Sequence, residues 1–360
     1  MLKSGWVNKP LGEVCTLQRG FDLPKHSRTD GEFPLISSSG EIDRIVDFKV
    51  NAPGVATGRS GSIGNVFFIE ENYWPLNTVL YVKDFHGNDE RFVYYLLKRF
   101  DLNKYATGAG VPTLNRNHVH DEIVAIPESK EEQTRIVAIL DEAFANTSQA
   151  VANAEKNLAN ARELFDSYLN EVFTRKGEGW IDKKIEHACD NLDSKRIPIT
   201  KSDRKSGDTP YYGASGIVDY VNDYIFEDNL LLVSEDGANL LARTYPIAFS
   251  ISGKAWVNNH AHVLKFSDID NQKITEYYLN SISLEPYVSG MAQPKLNQKA
   301  LNGICIPFPP KNCINAVVKG IEDLSSNIEE LEDVYRRKLA ALAELKQALL
   351  QKAFTGELTA

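Results

Sequence analysis

Gly108-Ala109-Gly110-Val111-Pro112-Thr113-Leu114-Asn115 returns, respelled, as Gly290-Met291-Ala292-Gln293-Pro294-Lys295-Leu296-Asn297, 182 residues further along the chain. A match at that distance belongs to a duplicated unit and not to a local turn. Other echoes keep the same order. Trp74-Pro75-Leu76-Asn77 is answered by Trp256-Val257-Asn258-Asn259 at 182, and Gly5-Trp6-Val7 by Gly179-Trp180-Ile181 at 174, with Cys15 and Cys189 at that same offset. Ile126-Pro127 matches Ile306-Pro307 at 180, and Phe173-Thr174 matches Phe354-Thr355 at 181. The offsets drift only as small loop insertions would make them drift. A period near 180 residues has the size of a domain, so the 360 residues read as one unit written twice.

Each copy has a mixed part followed by a helical part. In the first mixed part, Gly54, Gly58, Gly61 and Gly64 punctuate the short apolar runs Val66-Phe67-Phe68-Ile69 and Thr78-Val79-Leu80-Tyr81-Val82. In the second, Tyr224-Ile225-Phe226 and Leu230-Leu231-Leu232-Val233 take that place. Strands joined by glycine turns, with helices expected near Glu90 to Phe100 and Ile274 to Ser281, make each mixed part α+β. Ser129-Lys130-Glu131-Glu132 is a capping box that should open a long helix running to Lys176 and stopping at Gly177, ~70 Å at 1.5 Å per residue. Its apolar seam runs Ile136, Leu140, Ala143, Thr147, Ala150, Ala154, Ala161, Leu164, Tyr168. A second helix carries a heptad seam at Ile321, Leu324, Ile328, Leu331, Tyr335, Leu342, Leu345 and Leu349, with Lys338 filling one slot. The expected fold class is therefore α+β: two mixed domains in tandem, 1–127 and 179–310, separated by long helices at 128–178 and 311–360 that form an antiparallel coiled coil about a pseudo-two-fold axis.

Composition narrows the function. A hydrophobic fraction of 42% and a charged fraction of 25% belong to an ordinary globular chain and disfavour disorder. No apolar run approaches the ~18 to 20 residues of a membrane span, and Met1-Leu2-Lys3-Ser4-Gly5-Trp6 lacks the apolar core of a signal peptide, so a cytoplasmic location is expected, with no membrane partner. Cys15, Cys189, Cys305 and Cys313 are too sparse for a disulfide scaffold and are expected as small core residues. No Walker, zincin or nucleophile-elbow motif is present. Gly58-Arg59-Ser60-Gly61-Ser62-Ile63-Gly64 has the wrong spacing for a dinucleotide loop. His118-Val119-His120 and His260-Ala261-His262 could each start a metal site on a strand but lack a third ligand, so no metal, cofactor or catalytic residue is assigned.

A net charge of −9 argues against a polyanion partner until it is partitioned. Residues 1–127 hold 14 basic and 15 acidic side chains, and 179–310 hold 13 and 16; more than half of the negative charge lies on the helical parts. A nucleic-acid surface must then come from local clusters. Lys195, Arg196, Lys201, Arg204 and Lys205 form one, and Arg19, Lys25 and Arg28 occupy the matching stretch of the first copy. Arg59 and Ser60 sit among glycines that let a backbone approach a groove, Arg116 follows Asn115, and Lys295 and Asn297 lie in the echoing turn. The residues alone leave open a protein-recognition scaffold on a coiled-coil spacer, without nucleic acid.

Taken together, the Gly-Trp openings, the loop ending Ser62-Ile63-Gly64, the two Pro-x-Leu-Asn turns and Ile126-Pro127 leading through Glu132-Gln133-Thr134-Arg135-Ile136 into a long helix resemble the DNA-specificity subunit of type I restriction-modification systems over essentially the whole chain. The second copy departs from the first: Glu235-Asp236-Gly237 replaces the Gly-rich loop, and Lys311-Asn312-Cys313-Ile314 replaces the Glu-Gln pair. The resemblance implies two target recognition domains that read the halves of a bipartite, asymmetric double-stranded DNA site, with the helices as spacer. It further implies two methyltransferase subunits and restriction/translocase subunits as partners. S-adenosylmethionine, ATP and Mg would be bound by those partners, leaving this chain non-catalytic.

Overall fold

The structure is a computed structural model that describes residues 3–108, 112–290 and 293–359. The 109–111 and 291–292 parts of the echoing turns lie outside the described residues. The chain forms two compact units, Met1–Glu155 with Arg336–Ala360 and Lys156–Tyr335, so each contains one mixed part and a share of both long helices.

In the first unit the opening strand Trp6–Pro10 pairs antiparallel with Ile123–Pro127, Val7 opposite Ile126. The Gly-Trp and Ile-Pro echoes are thus the two strands of one clamp, closed just before the long helix begins. Between them lies a four-stranded sheet in the order Thr16–Arg19, Val79–Asp84, Gly54–Gly58, Val66–Ile69. Gly54–Gly58 is buried along its whole length, as an inner strand requires. A second sheet orders Gly40–Ile45, Asp30–Ser37 and Trp74–Pro75. Helix Glu90–Arg99 begins where the Asp89 carboxylate accepts from the Arg91 and Phe92 N–H groups, and it buries Phe92, Val93, Tyr95, Leu96 and Leu97. Ile136, Val137 and Leu140 of the first long helix join the same core as Leu350, Ala353 and Phe354 at the end of the second.

The second unit repeats this plan with its own residues. Ile181–Lys184 pairs with Cys305–Phe308. One sheet orders Asp190–Asn191, Ala261–Lys265, Leu230–Ser234 and Ala248–Ile251, and the other Gly216–Val221, Ser206–Gly213, Lys254–Val257 and Phe226–Glu227. Helix Ile269–Ser281 corresponds to Glu90–Arg99. Leu169 and Phe173 pack with Ile314, Val318 and Ile321.

The long helices are Lys130–Thr174 and Ile314–Ala353, and they run antiparallel within each unit. In the first, Glu132 meets Thr359 and Ser148 meets Lys346; in the second, Arg162 binds Glu332 at 2.6 Å and the Tyr168 hydroxyl lies against Gly320. Ile136, Leu140, Thr147, Ala154, Ala161, Ile321 and Ile328 are buried in the seam. Ala143, Ala150, Tyr168, Leu324, Tyr335, Leu342 and Leu349 are half-buried.

Three expected seam residues face solvent: Leu164, Leu331 and Leu345. On the second helix the seam advances by one residue after Ile328 and continues through Glu332, Tyr335, Leu339, Leu342 and Lys346. Lys338, which broke the expected heptad, is exposed, and Leu339 takes the slot it was expected to fill. The seam then accepts polar side chains because each has a partner across it: Arg162 for Glu332 and Ser148 for Lys346.

The capping box is also only half made. Ser129 Oγ accepts from the Glu132 N–H at 3.3 Å, but the Glu132 carboxylate turns to Lys3 and Thr359 instead of reaching back. Gln133 is buried and fully bonded, accepting from the Asp89 N–H and donating to Asn88 and Pro127. The helix ends at Thr174, short of Lys176, which leaves it to bind Asp182 at 2.7 Å. All four cysteines are free; Cys15 is buried, with its thiol pushed up to about 12 by burial, whereas Cys305 is exposed and not a core residue.

Candidate nucleic-acid interface

In the first unit the strand ends gather three arginines. Arg19 closes strand Thr16–Arg19, Arg59 follows strand Gly54–Gly58, and Arg116 opens the short helix after Asn115. Together with Leu80, Thr107, Thr113, Leu114 and Asn115 they line a cleft of about 350 Å³. Gly58 makes this approach possible, since a Cβ there would stand 1.9 Å from the Ser62 carbonyl oxygen. Arg59 Nη1 donates to the Asn77 carbonyl at 3.1 Å, and Arg116 Nη1 to the Leu17 carbonyl at 3.3 Å. Among the described residues neither has a carboxylate partner. Arg19 binds Asp22 at 3.0 Å. Behind Arg116, His120 Nε2 accepts from the Leu17 N–H at 2.9 Å. Burial, then the neighbouring Arg116, holds the His120 pKa below its ordinary value, which keeps that lone pair available.

The same positions in the second unit carry different chemistry. The Leu114 N–H donates to the Arg59 carbonyl at 2.8 Å, and the Leu296 N–H to the Glu235 carbonyl at 2.8 Å, so Glu235 stands where Arg59 does. By strand register Arg19 pairs with Leu80, and Asp193 meets His262 in the corresponding place. His262, fully buried, has Nδ1 2.5 Å from Asp193 and Nε2 2.8 Å from the Leu296 carbonyl oxygen. Arg196 donates to Glu235 at 2.7 Å and to the Ala261 carbonyl at 2.8 Å, and Lys295 binds Glu235 at 3.1 Å. Burial pushes the Asp193 and Glu235 pKa values up, but the bonds from His262, Arg196, Lys295 and the Val263 N–H prevail, and both carboxyls stay below their ordinary range.

Arg196 is thereby corrected from a surface cation to an internal one, with only 13% of its side chain exposed. Arg204 likewise folds inward over the Tyr211 ring and onto Asp219 at 3.0 Å, and Arg28 packs against the Leu23 carbonyl. Lys25, Lys195, Lys201 and Lys205 remain exposed, and Ser60 is half-buried at the rim of the Gly-rich loop. Asn115 and Asn297 act as helix N-caps, accepting from Asn117 and Ala300 N–H groups. The stretch 195–205 is therefore no single basic patch, because its arginines point into the fold while its lysines point out.

Sequence reading missed Asp193, Glu235 and His262 as one cluster. Two signals were available: the acidic replacement of the Gly-rich loop, and a histidine inside an apolar strand. The expected strand face of His118 and His120 does not form, because both lie on helix Arg116–His120. His260 precedes its strand and binds Asp236, apart from His262. Donor atoms of Asp193, Glu235 and His262 lie within 4.8 Å of one another, but each already has a protein partner. No described helix is long and apolar enough to cross a membrane.

Comparison with known proteins places these features in a lineage. A family model described as the type I restriction modification DNA specificity domain matches residues 3–158 and again 177–335. The EcoDI type I restriction enzyme specificity subunit of Escherichia coli is 23% identical over 99% of this chain and 89% of its own length. A Haemophilus influenzae protein described as a type I restriction enzyme specificity subunit is 33% identical over 46% of this chain, and the match spans 42% of that protein. In fold, the chain is similar to a subunit from a type I restriction-modification system solved for its complex assembly, with a TM-score of 0.80, 18% identity and coverage of 99% and 100% of the two chains. The HsdS subunit of Thermoanaerobacter tengcongensis follows at a TM-score of 0.60, 19% identity and 99% and 98% coverage. Such subunits are the non-catalytic, DNA-recognising component of their systems. Each family-model match covers one mixed part and the beginning of the long helix that follows it, so the family's domain occurs twice, and the chain belongs to the type I restriction-modification DNA specificity family.

Proposed function

We propose that the chain reads a bipartite, asymmetric site on double-stranded DNA, one half with each mixed domain. The observation that carries this is duplication with divergence: one strand plan occurs twice, but equivalent loop positions carry Arg59 in one unit and Glu235 in the other. Two readers that present unlike side chains from like scaffolds recognise unlike half-sites. Two half-sites read from one face of B-DNA lie about one turn apart, ~34–36 Å between centres, and a paired-helix spacer sets that distance. Methyltransferase subunits docked on this chain, and restriction/translocase subunits in the full assembly, perform the chemistry with S-adenosylmethionine, ATP and Mg. DNA-facing candidates are the exposed lysines Lys25, Lys195, Lys201 and Lys205, the rim residue Ser60 and the cleft arginines.

Mapping methylated adenines in cells with and without the gene tests this reading. Loss of one two-part motif with a fixed gap is the expected result, and an unchanged methylome or loss of a contiguous motif overturns it. Duplexes with base pairs inserted in the gap should lose binding; retained affinity overturns the spacer.

A further inference from the structure

The two equivalent places differ in charge more than two half-site readers require. In the first unit Arg19, Arg59 and Arg116 line one concavity, and among the described residues only Arg19 of the three has a carboxylate partner, Asp22. Bringing three guanidinium groups into one concave site is unfavourable unless an anion joins them. The domain around them is slightly acidic overall, so the cations are a local arrangement and not the spill-over of a basic protein. In the second unit Asp193, Glu235 and Gln298 stand where Arg19, Arg59 and Arg116 stand, and the cations present, Arg196 and Lys295, are bound to the carboxylates.

We propose that the arginine cleft of the first unit seats a phosphodiester of the DNA backbone, and that the second unit has replaced this seat by an internal ion network that only holds its loops in place. The proposal rests on the DNA-reading function above. Arg59 and Arg116 each place one nitrogen on a main-chain carbonyl, which fixes the guanidinium while leaving further N–H donors for an anion. In the second unit the network ties four segments together: Asp193 and Arg196, Glu235, His262, and the Lys295-Leu296 turn. With Arg196 and Lys295 both held by its carboxylates, the network leaves no surplus cation to seat a phosphate there. The two half-sites are therefore held unequally, the first by a backbone clamp sensitive to salt.

The test uses the full-length chain and short duplexes of random sequence, with binding followed as salt is raised. Removing one phosphate-contacting cation lowers the slope of log K against log salt by about one and weakens all sequences alike. Arg59→Ala and Arg116→Ala should each do this, the double variant should lose about two, and Arg59→Lys should retain most of the slope. Gln298→Ala, at the position of Arg116 in the second unit, should leave the slope at the wild-type value. Arg116 is exposed, so its variant keeps the fold, and unchanged thermal unfolding of each variant excludes loss by misfolding. A wild-type chain with no salt-dependent duplex binding overturns the DNA-reading function, and the seat with it. Wild-type binding together with an unchanged slope in the double variant overturns the seat alone. So does a loss confined to duplexes sharing one base, which would mean that the arginines read a guanine edge.

Discussion

The cleft of the first unit and the network of the second occupy the same place on the same strand plan, yet one is an open cluster of arginines and the other a closed set of ion pairs. The difference shows how a duplicated scaffold separates stability from binding. Arg59 rests on a carbonyl and on solvent, so little of the fold depends on it. Glu235 has 12% of its side chain exposed and receives bonds from Arg196 and Lys295, so the surrounding segments depend on it heavily.

The most direct way to break the comparison is to remove the two equivalent side chains in turn. Glu235→Ala removes the nearer carboxylate of the largely buried Arg196, leaving it Asp193 at 3.6 Å, and frees Lys295; it should cost about 2–3 kcal/mol in urea unfolding, whereas Arg59→Ala should stay below about 1 kcal/mol. Equal losses would mean that the two positions do the same structural work.

A second, smaller contrast is in pH. The unfolded chain protonates histidine near ~6.5, whereas folded His120 resists protonation, so the unfolded state binds more protons in that range. The Leu17 N–H to His120 bond thus contributes fully above ~6.5 and weakens as pH falls from there. Asp193 and Glu235 are depressed carboxylates, so their contribution is complete above ~4 and is lost only below it. Hydrogen exchange between pH ~7.5 and ~5, corrected for intrinsic rates, should show protection falling at the Leu17 amide and holding at Val263, which donates to Asp193 at 2.9 Å. His120→Gln, whose carbonyl can still accept from Leu17, should abolish the fall. A Leu17 amide equally protected across the range in the wild type contradicts the assignment.

The smallest effect sharpens the comparison instead of breaking it. Gln298→Arg restores one cation at the second-unit position and, at an exposed site, should change stability by no more than ~0.5 kcal/mol. If the network's carboxylates take up the added guanidinium as they hold Arg196 and Lys295, the salt slope of DNA binding stays near the wild-type value; a rise of a full unit would show that a single missing cation, and not the network, separates the units.

Much of the fold was legible because it rests on spacing. The Gly-Trp and Ile-Pro echoes proved to be strand partners, and the two long helices were announced by apolar residues at every third or fourth place. Legibility failed where a side chain had a choice of partners. Leu331 and Leu345 fit a heptad as well as Glu332 and Lys346 do, and only the facing Arg162 and Ser148 decide between them. Glu132 completes a capping box on paper, but Lys3 and Thr359 arrive from remote parts of the chain. Arg196 reads as a member of a basic loop until Glu235, 39 residues away, closes over it.

The sequence by itself determined that a domain was written twice, that each copy ends in a long helix, and that the copies diverge at their loops, because periodicity and repetition are properties of order along the chain. Only the tertiary structure decided which cations are free and which are bound. An ion pair depends on distance in space, and a carboxylate brought within 3 Å by a strand far off in sequence turns a surface charge into a strut.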